Sequence, residues 1–153
     1  MRVFVSYSHA DAEYVGPSGL LGYLSGLARE GIQFWHDERL TAGEAWDDRI
    51  RAEIDKSDIA LVLVSQSFLN SGYCRNVEIS SFLERRAADG LVIFPIIVSH
   101  CDWASEPWLA STQFEPRGGK SIERDYKDRG NRDELYLRIL SQLRSIAQSI
   151  RSR

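Results

Sequence analysis

Residues 59–64 read Ile-Ala-Leu-Val-Leu-Val, apolar at every position. A strand with one wet face alternates polar and apolar side chains, so an unbroken apolar run of this length must be covered on both sides. That requirement points to the inside of a parallel sheet with helices packed above and below. A second run, Leu91 to Val98, has the same character, although Pro95 within it predicts an irregularity or bulge. Val3 to Tyr7 and Ile32 to Trp35 are shorter β-branched and aromatic runs, the first ending in the polar cluster Ser6, Ser8, His9, Asp11.

Helical periodicity fills the gaps between these runs. Leu20, Leu24, Leu27 and Ala28 recur at helical spacing and stop at Gly31; Trp46, Ile50 and Ile54 stand four apart. Ile79, Phe82, Leu83 and Arg86 trace one side of a third helix from about Cys74 to Ala88. Leu135, Ile139, Leu143, Ile146 and Ile150 form a closing stripe. Strands separated by helices pair in parallel through crossovers. The expected architecture is therefore α/β: a doubly wound, flavodoxin-like sandwich with a central parallel five-stranded sheet and helices on both faces. Ligands of such sheets bind beyond the carboxyl ends of the strands, here the loops after Tyr7, Trp35, Ser65 and Val98. The stretch from Ser99 to Gly130, with Pro107, Pro116, Gly118 and Gly119, is the least legible.

Composition narrows the classes. At 153 residues the chain has the length of one domain, spanning 1–150. With 19 basic and 22 acidic side chains, the net charge of -3 offers no surplus of cations for nucleic acid, and Arg144, Arg151 and Arg153 read as a solvated helix end. Neither a membrane span nor an export signal is recognisable, which places the chain in the cytoplasm. The two cysteines, Cys74 and Cys101, and the histidines at 9, 36 and 100 lack metal-ligand spacing. Two buried thiols, no metal and no resident cofactor are expected.

Several common motifs fail on inspection. Gly119-Lys120-Ser121 looks like the end of a phosphate loop, but Phe114 stands where the pattern needs a glycine, so the segment reads as a turn. Gly16-Pro17-Ser18-Gly19 lacks the dinucleotide fingerprint, and there is no Gly-x-Ser-x-Gly elbow. A phospho-receiver needs acids after strands one and three, where this chain has Ser6-Tyr7-Ser8 and Ser65-Gln66-Ser67.

What remains is an ordered set of words: Phe4-Val-Ser-Tyr-Ser-His, Trp35-His-Asp-Glu through Gly43-Glu-Ala-Trp46, Ser65-Gln-Ser-Phe, Ser71-Gly-Tyr-Cys-Arg-Asn-Val-Glu78, and Pro95-Ile-Ile-Val-Ser-His-Cys-Asp-Trp103. Together they resemble the TIR (Toll/interleukin-1 receptor/resistance) domain, bacterial type, over nearly the whole chain. The resemblance implies one or both of two activities. One is hydrolysis of NAD+ at the nicotinamide–ribose bond by an essential glutamate early in the third helix, with self-assembly switching it on in bacterial antiviral defence or cell suicide. The other is a non-catalytic adaptor role through homotypic TIR–TIR contacts. It also implies a fused or partner sensor domain.

The glutamate that matches is Glu78. A single carboxylate can suffice because nicotinamide leaves as a neutral base and needs no general acid, unlike the alkoxide of an ordinary glycoside. Exclusion of water then decides between ADP-ribose and a cyclic product. The alternative for Glu78 is an exposed helix carboxylate paired with Arg75, a contact of about 0.2–0.5 kcal/mol. Ser6 and Tyr7 are candidates for the nicotinamide-ribose pocket or simply the end of strand one. Asp37, Arg39 and Trp46 are candidates for nucleotide contacts, Arg39 toward phosphate and Trp46 as a stacking face or as a core residue of its helix. Cys74 is a candidate pocket wall or a small buried thiol; Asp102 and Trp103 read as structural. One departure stands out: many catalytic members carry an aromatic residue four positions before the glutamate, whereas here the aromatic is Tyr73, five before. On an α-helix one position turns a side chain by about 100°, which would point the ring away.

Overall fold

The computed structural model describes residues 1–36 and 46–153. Four strands, β1 (Arg2–Ser6), β2 (Gln33–His36), β3 (Ile59–Val64) and β4 (Val92–Ile97), form one sheet in the order β2-β1-β3-β4, with every neighbouring pair parallel. The helices are α1 (Ala12–Val15), α2 (Leu20–Leu24), α3 (Trp46–Lys56), α4 (Gln66–Asn70), α5 (Ser80–Asp89), α6 (Pro107–Ala110), α7 (Ile122–Asp125) and α8 (Arg129–Arg151).

β3 behaves as its composition demands, with all six residues buried. Successive side chains alternate between the faces of a sheet. Leu61 and Leu63 join Val3 and Val5 against Leu20, Leu24, Ile139 and Leu143 on one side. Ala60, Val62 and Val64 join Phe4 against Ile50, Ile54 and Phe82 on the other. The result is the doubly covered, flavodoxin-like sandwich expected from the sequence.

Four expectations need correction. The fifth strand is reduced, among the described residues, to a single parallel bridge between Ile96 and Glu115. The Glu115 amide donates to the Pro95 carbonyl at 3.2 Å, and its own carbonyl accepts from Ile97 N–H at 2.8 Å. Three residues later Gly118 and Gly119, at φ 74° and 71°, turn the chain out of extended conformation, so the ladder stops.

Nor does Pro95 make a bulge, since β3 and β4 stay in unbroken register from Ile59↔Val92 to Val64↔Ile97. Residues 92 and 98 donate to the β3 side, through the Asp58 and Val64 carbonyls, so alternation turns the N–H position of residue 95 to the outer edge. There a missing donor costs the β3–β4 ladder nothing.

The basic end of α8 is also no mere solvated terminus. Arg144 makes a two-bond fork on Glu30, both at 2.9 Å. Arg151 donates to the Glu30 carbonyl at 2.6 Å and Arg153 to the Gly90 carbonyl at 3.1 Å. These bonds tie the last turns of α8 to the two left-handed glycine turns, Gly31 and Gly90, that precede β2 and β4. Finally, both cysteines are free, but only Cys74 is buried; Cys101 is half-buried. No helix among the described residues is long and apolar enough to cross a membrane.

Candidate active site

The site forms where β1 ends beneath the helical segment that leads into α5. Phe4 and Ser6 lie two apart on β1 and so share a face. Phe4 packs edge-on against Phe82, with ring centroids 5.4 Å apart. One step toward the carboxyl end, Ser6 Oγ donates to Glu78 Oε2 at 3.0 Å. The helix runs opposite to the strand, and two strand residues rise about 6.6 Å against about 6 Å for four helical ones. The aromatic contact therefore sets the height at which Glu78 meets Ser6.

Glu78 is 5% exposed. The carboxylate is therefore not exposed, as the alternative had it, but lies in the wall of a cleft. That cleft, of about 120 Å³, is lined by Val5, Tyr7, Ser8, His9, Ser71, Tyr73, Cys74 and Glu78. Of the residues expected from sequence, Ser6, Tyr7, Cys74 and Glu78 are thus brought together. Asp37 and Arg39 lie outside the described residues, as do the side chains of Trp46 and Arg75.

Tyr73 faces the same cleft as Glu78, contrary to the 100° argument, and the reason is local winding. Residues Cys74–Ile79 form a π-helix. Its hydrogen bonds span five residues rather than four and its turn is wider, so positions five apart fall nearer to one face than they do in an α-helix. The register that would misdirect the ring in an α-helix aligns it here. Tyr73 Oη donates to Asp47 Oδ1 at 2.9 Å, tying the first turn of α3 to the cleft wall. Burial first, then the bond to Asp47 and the nearby negative charges of Asp47 and Glu78, push the Tyr73 phenol far above its ordinary pKa. It is a neutral hydrogen-bonding group at physiological pH.

A second polar pair lies behind the cleft. Ser65 ends β3 and caps α4, accepting from Phe68 N–H at 3.0 Å. Its hydroxyl donates to Asp11, a carboxylate only 7% exposed. Burial holds the Asp11 carboxyl above its usual range, against the lowering effect of the Ser65 bond. Sequence reasoning placed Asp11 in a polar cluster after β1 without assigning it a partner, because Ser65 is 54 positions away. Asp47 was missed for the same reason. Asp102, which sequence reading made structural, accepts from the Ser105 hydroxyl at 2.9 Å, and Trp103 packs on Phe114 at 4.8 Å between centroids.

Chemically the cleft offers one buried carboxylate ringed by hydroxyls. It suits recognition of a polyhydroxylated group, with the carboxylate as the local negative charge. The described residues enclose less than the ~300 Å³ of a complete small-ligand pocket.

Comparison with known proteins agrees with this architecture. The chain is 38% identical over 95% of its length to the uncharacterized protein y4lF of Sinorhizobium fredii, spanning 43% of that protein. It is 30% identical over 61% of its length to the disease resistance protein RPV1 of Vitis rotundifolia, of which it spans 6%. The chain thus spans less than half the length of these relatives. Its fold is similar to the crystal structure of the TIR domain of the Toll-related receptor TRR-2 from Hydra magnipapillata, with a TM-score of 0.61, 20% identity and coverage of 93% of this chain and 97% of that one. The family model described as TIR domain matches residues 3–123, which take in β1, the cleft, Glu78 and the turn after β4. By sequence and by fold, the chain belongs to the TIR-domain family.

Proposed function

We propose that this TIR domain is an NAD+ nucleosidase that breaks the nicotinamide–ribose bond with Glu78 as its catalytic carboxylate. The observation that carries the reading is the placement of Glu78: buried, bonded to Ser6, and facing a hydroxyl-lined cleft at the carboxyl end of a parallel sheet. In the reaction, the glycosidic C–N bond breaks and its electron pair leaves with neutral nicotinamide. The carboxylate stabilises the positive charge left on the ribosyl carbon. Water then adds its oxygen to that carbon and releases a proton, giving ADP-ribose; capture by a ring nitrogen of the adenine gives a cyclic product instead. Ser6 holds the carboxylate in place, Tyr7 and Cys74 wall the ribose end, and Asp37, Arg39 and Trp46 serve the rest of the dinucleotide.

The small volume of the cleft supports activation by self-assembly, a neighbouring copy completing the site. The kinship with a plant disease resistance protein supports a role in immunity, with this domain acting in the cytoplasm beside a fused or partner sensor. The test is nicotinamide release from NAD+ by concentrated protein. Release by wild type and its loss in Glu78→Ala, with unchanged circular dichroism, establishes the enzyme. Equal release by both removes Glu78 from the mechanism. No release even from forced oligomers assigns the domain to the adaptor class.

A further inference from the structure

Away from Glu78, the segment that looks like a failed phosphate loop contributes to a cluster of cations. Arg117, Lys120, Tyr126 and Arg138 line a depression of about 370 Å³ on the far side of β4. Its cations come from two separate elements, the Gly118–Gly119 turn and α8, so the cluster is made by the tertiary fold. Arg138 is fixed from behind: its Nε and Nη2 donate to Glu115 Oε2 at 3.1 and 2.9 Å. Arg117 lies 3.5 Å from the other oxygen of Glu115 and is 76% exposed. Lys120 makes no ion pair among the described residues.

Three cations against the single carboxylate of Glu115 leave a local charge of +2, on a chain whose net charge is -3. Of the two acids on the following helix, Asp125 is already engaged, accepting from the Ser121 amide at 2.9 Å, and Glu123 adds its negative charge to the surroundings of Asp11 and Tyr14. Between the two cations of the turn, Gly118 and Gly119 have positive φ. A Cβ built on either would meet nothing within 4 Å, so the backbone here is open. The amides of residues 118 to 120 donate to no acceptor among the described residues. Successive free amides in a turn flanked by cations are a favourable setting for phosphate oxygens.

The depression also has a neighbour. Arg117 is shared with a groove of about 350 Å³ flanked by Phe94, Phe114 and Ile146. Phe114 is held in place by its edge contact with Trp103. A cationic pocket joined through one arginine to an aromatic-walled groove fits a ligand with a phosphate at one end and a flat ring at the other. We propose that this surface is a second binding site, distinct from the Glu78 cleft, for a nucleoside diphosphate, with its phosphates on Arg117, Lys120 and Arg138 and its base in the groove beside Phe114.

The test is calorimetric titration of the chain with ADP and, separately, with inorganic pyrophosphate. The expected result is saturable ADP binding, tighter than that of pyrophosphate. It should weaken at least tenfold in Arg117→Ala/Lys120→Ala, both exposed positions whose loss leaves the Glu115–Arg138 pair intact, and stay unchanged in Glu78→Ala. Absence of ADP binding overturns the proposal, as does binding that the double variant leaves unaltered. ADP binding lost in Glu78→Ala but kept in the double variant places the ligand in the cleft and overturns it equally. Pyrophosphate bound as tightly as ADP removes the base from the site. None of these outcomes depends on whether NAD+ is cleaved.

Discussion

Ser6 and Glu78 stand 72 positions apart in the chain and 3.0 Å apart in space, with the serine hydroxyl donating to the carboxylate. Both are buried, so neither can exchange the other for bulk water. Ser6→Ala leaves one oxygen of a buried carboxylate without this donor. The expected cost is about 1–3 kcal/mol of stability, read from the urea midpoint at constant m. On the proposed mechanism nicotinamide release should fall with it, because Glu78 loses the Ser6 bond that helps to fix one of its oxygens. An unchanged midpoint would mean that the bond contributes nothing and that the serine only ends its strand.

Asp11 gives a prediction in pH. Burial raises its folded-state pKa above the unfolded value, so the fold favours the neutral carboxyl. For a group shifted in this direction, the stabilising contribution is complete below the unfolded pKa, near 3.8, and is lost as pH rises through the raised folded value. Asp11→Asn keeps an acceptor for the Ser65 hydroxyl and never ionises. The variant should therefore be more stable than wild type at pH 7, and the gap should close as pH falls toward 3. Urea melts of both proteins across that range check it; a gap independent of pH would show that Asp11 does not ionise at a cost in the fold.

How far the sequence reached follows from what each feature rests on. The apolar run at β3 and the helical stripes are local patterns, and they settled the layers and the parallel order. Glu78 was legible because it ends a word that carries a family likeness, and its neighbours Ser6, Tyr7 and Cys74 came with it. The π-helix at Cys74–Ile79 was not legible: its extra residue per turn leaves no mark in hydrophobic spacing, yet it decides where Tyr73 points. The pairs Asp47–Tyr73 and Asp11–Ser65 are long-range choices of polar partner, which periodicity does not encode. The reduced fifth strand depended on two glycines whose left-handed turn could be anticipated, but not its position three residues beyond a bridge.

Gly90 ends α5 at φ 78°, and its amide donates to the Arg85 carbonyl. A Cβ there would stand 3.0 Å from Arg153 Nη1, the far end of an exposed flexible side chain that can give way. The cost of Gly90→Ala is then the backbone's own, about 1–2 kcal/mol for an L-residue in the left-handed region. The same loss should appear in an Arg153→Ala background, as measured by urea unfolding. A loss that disappears in that background would assign it to the arginine contact.

Glu115 is 2% exposed and is held from three sides: by Arg138 through two bonds to Oε2, by Gln142 Nε2 at 3.0 Å on Oε1, and more loosely by Arg117. Arg138 is partly open to solvent and has water as a substitute partner; Glu115 has none. The pair is therefore asymmetric. Arg138→Ala strands a buried carboxylate and should cost about 3 kcal/mol, at the low end of the range for breaking a buried pair because Gln142 and Arg117 remain. Replacing both members by leucine removes the charge that has to be solvated, and the double variant should regain at least half of that loss. Urea midpoints of the two single variants and the double variant decide the matter. A double variant no better than Arg138→Ala would mean that the ion pair holds α8 against the end of β4 by more than satisfying a buried charge.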